Sequence, residues 1–470
     1  MDVVDEQFTS TVAGDLVPAS SEQVVLRRRT EGHCEAEVVR CRVAVACATR
    51  GWSTPGGPDA TIGSGNGPIQ YRHRGAGQQR RTTAPQNGAW ALGTGLLARS
   101  PLVRFGGRLP TLADRFDGRA NSIGVLRLTL AFAVLVAHCW PLALGRPMLG
   151  SAETMRQTDV GKLAVYGFFV LSGFLITGSA LRFSLPRYLW HRALRILPGL
   201  WVCLLLTALV MAPAVAYYEL GTLAGFWDHP YGPWQYLRSN WLFAMDQWTI
   251  SGILGDVPYG RGLEGGGPVN GSLWTLRYEV VCYVMLAALV AASVLARARG
   301  AVVLLLLGAY GVVVEDFVRG DGLIARPPKH GVLGPYPVVG VFDKQVVIYL
   351  AFVFLLGAVA KLYAHRVPMT GWLAAFAAVG LAVTLRFGAF WVIGVPLLAY
   401  LLLYLAVGLP RWLHSIGRKR DYSYGIYIYA FPVQQVVALL IGVRYGFVTY
   451  LAASTAGTLV LAALSWHLDE

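Results

Sequence analysis

Residues 121–143 read NSIGVLRLTLAFAVLVAHCWPLA. The run is long and apolar enough to cross a hydrocarbon layer of roughly 30 Å as one α-helix, yet it carries Arg127 and His138. A central arginine costs on the order of 2.5–3.5 kcal/mol on insertion scales, so ionisable residues persist in a span where they are paired or functional. The two positions are 11 residues apart. Three helical turns bring them back to within roughly 20° of one face, about 16 Å apart along the axis. That face must look into a helical bundle and not at lipid.

Apolar windows of about 18–22 residues recur from this span to the end of the chain. Ten candidate spans lie at roughly 122–143, 160–181, 192–214, 273–296, 300–317, 345–363, 371–386, 389–408, 421–442 and 447–467. The expected fold is therefore all-α, a polytopic integral membrane helical bundle of about ten transmembrane helices. Composition agrees: of 470 residues 55% are hydrophobic and 14% charged, and the mean hydropathy is +0.50. So little polar surface cannot cover a water-soluble body of that size. The formal charge of +14 is concentrated near the amino terminus and in short loops. That is the pattern of the positive-inside rule, and no nucleic-acid partner is expected.

Residues 1–110 lack helical periodicity, carry Arg27-Arg28-Arg29 and Arg80-Arg81, and are rich in Gly, Pro and Ser. They read as a disordered basic tail, or as a segment outside the working protein, with the transmembrane domain at 111–470. No apolar core follows Met1 within signal-peptide distance. Cys34, Cys41 and Cys47 with His33 match no common zinc spacing, so no metal site is expected.

Basic residues set the orientation. Arg182, Arg187, Arg192 and Arg195 join spans two and three, Arg297 and Arg299 spans four and five, Lys361 and Arg366 spans six and seven, and Arg411, Arg418, Lys419 and Arg420 spans eight and nine. If spans alternate, all these loops share one face, which should be cytoplasmic with both termini beside it. Residues 215–271 fall on the other face, first rich in Trp and Tyr and then in Gly and Pro. They read as interfacial segments, then a flexible approach to span four, with a part in acceptor binding or none.

With this orientation Arg127 lies toward the cytoplasm and His138 near the outer end. An arginine offers a permanent fork of donors for phosphate, whereas an imidazole can take and return a proton near neutrality. Arg192 and Arg195, three residues apart on one helix face, join Arg127 as a candidate phosphate-binding mouth. The ordinary alternatives are an arginine that snorkels to the headgroups and a histidine bonded to a carbonyl. Glu279 enters span four from the outer side, and is expected at the depth of His138 to fix its tautomer, or else to pair with Arg277. Ser172 and Gly173 lack the surroundings of a hydrolase nucleophile and read as packing.

Five segments together resemble the membrane acyltransferase-3 family of bacterial O-acyltransferases, from about residue 111 onward. They are Arg127 with His138, like the family's Arg-x10-His; Gly167 to Ile176 (GFFVLSGFLI); Arg192-Ala193-Leu194-Arg195, like its Arg-x-x-Arg; Asn270 to Leu276 through Glu279; and Ser423-Tyr424-Gly425-Ile426-Tyr427. Relatives often carry a histidine after the last segment, where this chain reads Tyr429-Ala430-Phe431-Pro432. The resemblance implies a multi-pass enzyme of the bacterial inner membrane, with the lipid bilayer as its solvent. It implies transfer of an acyl group, usually acetyl, from cytoplasmic acyl-CoA, a co-substrate and not a bound cofactor. The acceptor would be a hydroxyl of a carbohydrate or glycolipid. Arg127, Arg192 and Arg195 would then hold the CoA phosphates, with His138 as general base or acyl carrier and Glu279 as its catalytic partner. The alternative is a proton-coupled transporter using the same Arg, His and Glu.

Overall fold

The computed structural model describes residues 108–320, 328–336, 339–418 and 420–469. The tail assigned to residues 1–110, with Cys34, Cys41 and Cys47, lies outside the described residues except for positions 108–110. The described chain is a helical bundle in which nine helices are long and apolar enough to cross a membrane. They are α1 (Ile123–Leu144), α2 (Val160–Ala180), α3 (Leu185–Leu220), α5 (Trp274–Ala291), α6 (Arg299–Arg319), α7 (Lys344–Leu362), α9 (Phe390–Gly408), α10 (Ser423–Leu440) and α11, whose crossing segment is Phe447–His467. The expected span at 371–386 is the 17-residue helix α8 (Gly371–Phe387), apolar but at the short limit for a crossing.

Polar residues at the span ends set where these helices begin. The Asn121 side chain accepts from the Ile123 N–H at 3.1 Å at the start of α1. Asp159 accepts from the Lys162 N–H at 2.7 Å, and Asp343 from those of Gln345 and Val346 at 2.9 and 3.2 Å. Each satisfies N–H groups that the first helical turn leaves without partners. Helix α1 ends at Gly145, whose φ of 60° is the left-handed closure that glycine adopts freely.

The centre of the bundle is the contact of α2 with α7. A Cβ placed on Gly173 would lie 2.0 Å from the Phe354 carbonyl oxygen, and one on Gly357 would lie 2.1 Å from that of Val170. These backbones touch because both positions lack side chains, the usual route to tight helix pairing where lipid offers no hydrophobic drive. The packing role expected of Gly173 is therefore seen.

Residues 221–273 depart from expectation in being folded. A short helix α4 (Pro233–Asn240) is followed by a loop built on Gln247, whose Nε2 donates to the carbonyls of Tyr231 and Thr249, both at 2.9 Å. Ile250, Ile253, Leu254 and Val257 are buried. Gly266, at φ 88°, leaves no room for a Cβ beside the Ile253 carbonyl, 2.4 Å away. The Gly-rich stretch thus serves close backbone packing, and the flexible approach inferred from composition is corrected. Between α6 and α7 an unanticipated antiparallel hairpin pairs β1 (Val332–Tyr336) with β2 (Gly340–Asp343).

Candidate active site

Helices α1 and α3 deliver their arginines to one place. Arg127, Arg192 and Arg195 line a pocket with about 790 Å³ of empty space counted to its open mouth. Helix α2 contributes Ser172, α5 contributes Glu279 and Tyr283, and α10 contributes Tyr424 and Tyr427. The expected gathering of the three arginines is therefore present. Arg192 packs over the Tyr283 ring, 5.9 Å from its centroid.

Glu279 joins these arginines, and this differs from its expected place beside His138. The cause lies in the segment before α5. Gln435 Nε2 donates to the Pro268 carbonyl at 2.8 Å, Asn270 Nδ2 donates to that of Ile428 at 2.9 Å, and the Thr275 and Tyr427 hydroxyls are 2.5 Å apart. Residues 268–275 therefore descend alongside α10 from its Gln435 level to its Tyr427 level, so α5 begins inside the bundle. Counting Glu279 from the outer surface placed it too shallow. Its carboxylate accepts from the Tyr283 hydroxyl and, at 3.5 Å, from Ser172. Ser172 thus belongs to the pocket as well as to helix packing. Arg277, the other suggested partner for Glu279, donates to the Val341 and Met245 carbonyls at 2.6 and 3.2 Å.

His138 is not among the residues lining this pocket. It is buried in α1, where its ring stands edge-on to Phe431 with centroids 5.4 Å apart, and Phe431 in turn meets Tyr259 of the loop between α4 and α5 at 6.1 Å. Gln434 Nε2 grips the turn that carries His138, donating to the Leu135 carbonyl at 2.9 Å and to Cys139 Sγ at 3.0 Å. Arg127 and His138 thus occupy two levels of one helix, as their spacing requires, with Arg192 and Arg195 of α3 joining the Arg127 level.

A sequence profile described as an acyltransferase domain matches residues 121–467. The chain belongs to the membrane acyltransferase-3 family. Among curated proteins it is similar to "O-acetyl transferase" of Shigella phage Sf6, 30% identical over 75% of this chain and 95% of the relative. It is also similar to "Nodulation protein 10" of Rhizobium leguminosarum bv. viciae, 29% identical over 76% of this chain and 94% of that protein. No solved structure matches. As a member of the acyltransferase-3 family the chain is a membrane enzyme of O-acyl transfer, moving groups other than amino-acyl groups.

Beside this pocket stands one residue that the sequence reading passed over. Asp421 Oδ2 accepts from Arg127 Nη1 at 2.7 Å and from Arg195 Nη2 at 2.6 Å, while Oδ1 accepts from the Ser423 N–H and hydroxyl at 3.1 and 2.5 Å. Burial pushes this carboxyl up, but the two guanidinium groups and the Ser423 bonds outweigh it and hold Asp421 below the usual carboxylate value. The signal available in sequence was a lone acid beside Arg418, Lys419 and Arg420, immediately before the Ser-Tyr segment that opens α10. Nothing in sequence brings it to Arg127, almost 300 residues earlier.

Proposed function

We propose that this enzyme moves an acyl group, chiefly acetyl, from acyl-CoA on the cytoplasmic side to a hydroxyl of a carbohydrate-containing acceptor. It would work in the bacterial inner membrane with both termini in the cytoplasm, the orientation that puts the four basic loops joining spans two and three, four and five, six and seven, and eight and nine on one side. The observation that carries this reading is the convergence of Arg127, Arg192 and Arg195 on one pocket. Three permanent cations at that depth suit an anionic donor, and phosphate matches the guanidinium fork. The printed name of the phage relative, an O-acetyl transferase, agrees with acetyl.

In this reading the CoA phosphates dock at the arginines and the thioester arm passes inward toward His138. The imidazole takes the proton of the acceptor hydroxyl, whose oxygen forms the new C–O bond as the C–S bond breaks. The departing CoA thiolate then receives the proton. Alternatively the imidazole nitrogen first takes the acyl group and passes it on. Glu279 balances the pocket charge and orients Tyr283 and Ser172, acting as a positioning residue. The test is acyl transfer and acyl-CoA binding in purified protein. His138→Ala should bind acyl-CoA normally yet transfer nothing, and Arg192→Ala should bind it about tenfold more weakly. Retained transfer by the first variant, with unchanged affinity in the second, would sink the assignment.

A further inference from the structure

A second cavity lies on the other side of Asp421. It runs between the first turns of α1, at Gly124 and Leu128, and the loop that carries Ser415, Gly417, Arg418, Arg420 and Tyr422, with about 1090 Å³ of empty space. Neighbouring residues divide between the two cavities. Arg127 lines the inner pocket and Leu128 the outer groove, while Tyr422 lines the groove and Ser423 and Tyr424 the pocket. Asp421 stands in the wall between them, lining the groove while pairing with two arginines of the pocket.

The groove has the chemistry of a nucleotide site. Arg418 and Arg420 are exposed, and among the described residues neither has an ion pair. Arg418 donates only weakly to the Arg119 carbonyl, at 3.4 Å. Arg420 lies over the Trp466 ring, 5.4 Å from its centroid, and Tyr422 stands edge-on to the same indole at 5.9 Å. Exposed guanidinium groups without a carboxylate partner among the described residues, beside aromatic side chains, suit a phosphorylated nucleobase, through phosphate pairing and stacking. The loop is fixed in place, because the Ile416 carbonyl oxygen occupies the position a Cβ on Gly124 would take, 2.4 Å away.

Resting on the acyl-CoA reading above, we propose that this groove binds the nucleotide end of the donor, with Arg418 and Arg420 holding its 3′-phosphate. Acyl-CoA then lies across the wall. Its adenosine sits in the groove, its diphosphate passes Asp421 at Arg127 and Arg195, and its pantetheine arm occupies the inner pocket. Asp421 becomes the counter-charge that keeps the two arginines paired until the diphosphate takes its place.

The experiment measures binding of CoA and of dephospho-CoA, which lacks the 3′-phosphate, to full-length protein in detergent. The wild type should prefer CoA by about tenfold, the value of one charge-assisted phosphate contact. In the Arg418→Ala/Arg420→Ala double variant the preference should vanish while dephospho-CoA still binds, which also certifies the fold. A preference that survives in the double variant would overturn the groove assignment and leave the donor reading intact. Failure of the wild type to bind either ligand would overturn the donor reading and this one with it.

Discussion

Replacing Asp421 by Asn removes one negative charge from between two arginines and keeps the shape of the side chain. The two ion pairs measure 2.7 and 2.6 Å, and the side chains of Arg127, Arg195 and Asp421 are 25%, 35% and 22% exposed. Fully exposed pairs contribute about 0–1 kcal/mol, whereas breaking a buried pair costs about 3–5 kcal/mol because the partner is left uncompensated. Partial exposure and two stranded arginines place the loss at about 2–3 kcal/mol at neutral pH. The assay is thermal unfolding in detergent followed by tryptophan fluorescence, with Tm lowered by several degrees. The pH dependence has a fixed sign. The carboxyl of Asp421 is held below its ordinary value of 3.8, so its stabilisation is complete above that pH and fades as the pH falls through the lower folded value. The gap between wild type and variant should therefore be constant from pH 8 to about pH 5 and shrink below about pH 4. Equal Tm values at pH 7, or a gap undiminished on acidification, would refute the reasoning.

Gly173→Ala should abolish most folded protein, since overpacking costs about 1–3 kcal/mol or more and the obstacle here is the rigid Phe354 carbonyl. Gly308→Ala, where a Cβ meets nothing within 4 Å, should fold as the wild type does; equal monodisperse yields from the two variants would contradict the proposed α2–α7 contact. Glu279→Gln keeps a partner for the Tyr283 hydroxyl but leaves the three arginines with one counter-charge fewer. Turnover should fall about tenfold or more while acyl-CoA affinity holds or rises, and unchanged kcat would remove Glu279 from the working site.

The helices were legible because hydrocarbon imposes a one-dimensional rule. A span must be apolar for about 20 residues and must satisfy its own backbone, so length and hydropathy alone located the membrane helices. The same rule exposed Arg127 and His138, whose cost in that setting marks them, and regular helical geometry set their separation. Arg192 and Arg195 were legible for a similar reason, as a pair on one face of the next basic helix.

What the sequence determined by itself was thus the membrane solvent, most of the spans and the residues too costly to be incidental. Tertiary structure decided which of them meet. Glu279 went to the arginines because residues 268–275 enter the bundle before α5 begins, a path held by Asn270 and Gln435 bonds to distant backbone. Asp421 became the partner of Arg127 and Arg195 because α10 brings its preceding loop against α1 and α3. No local pattern encodes either event. Periodicity reports what one helix shows to its surroundings, while pairing between charges depends on where the chain returns.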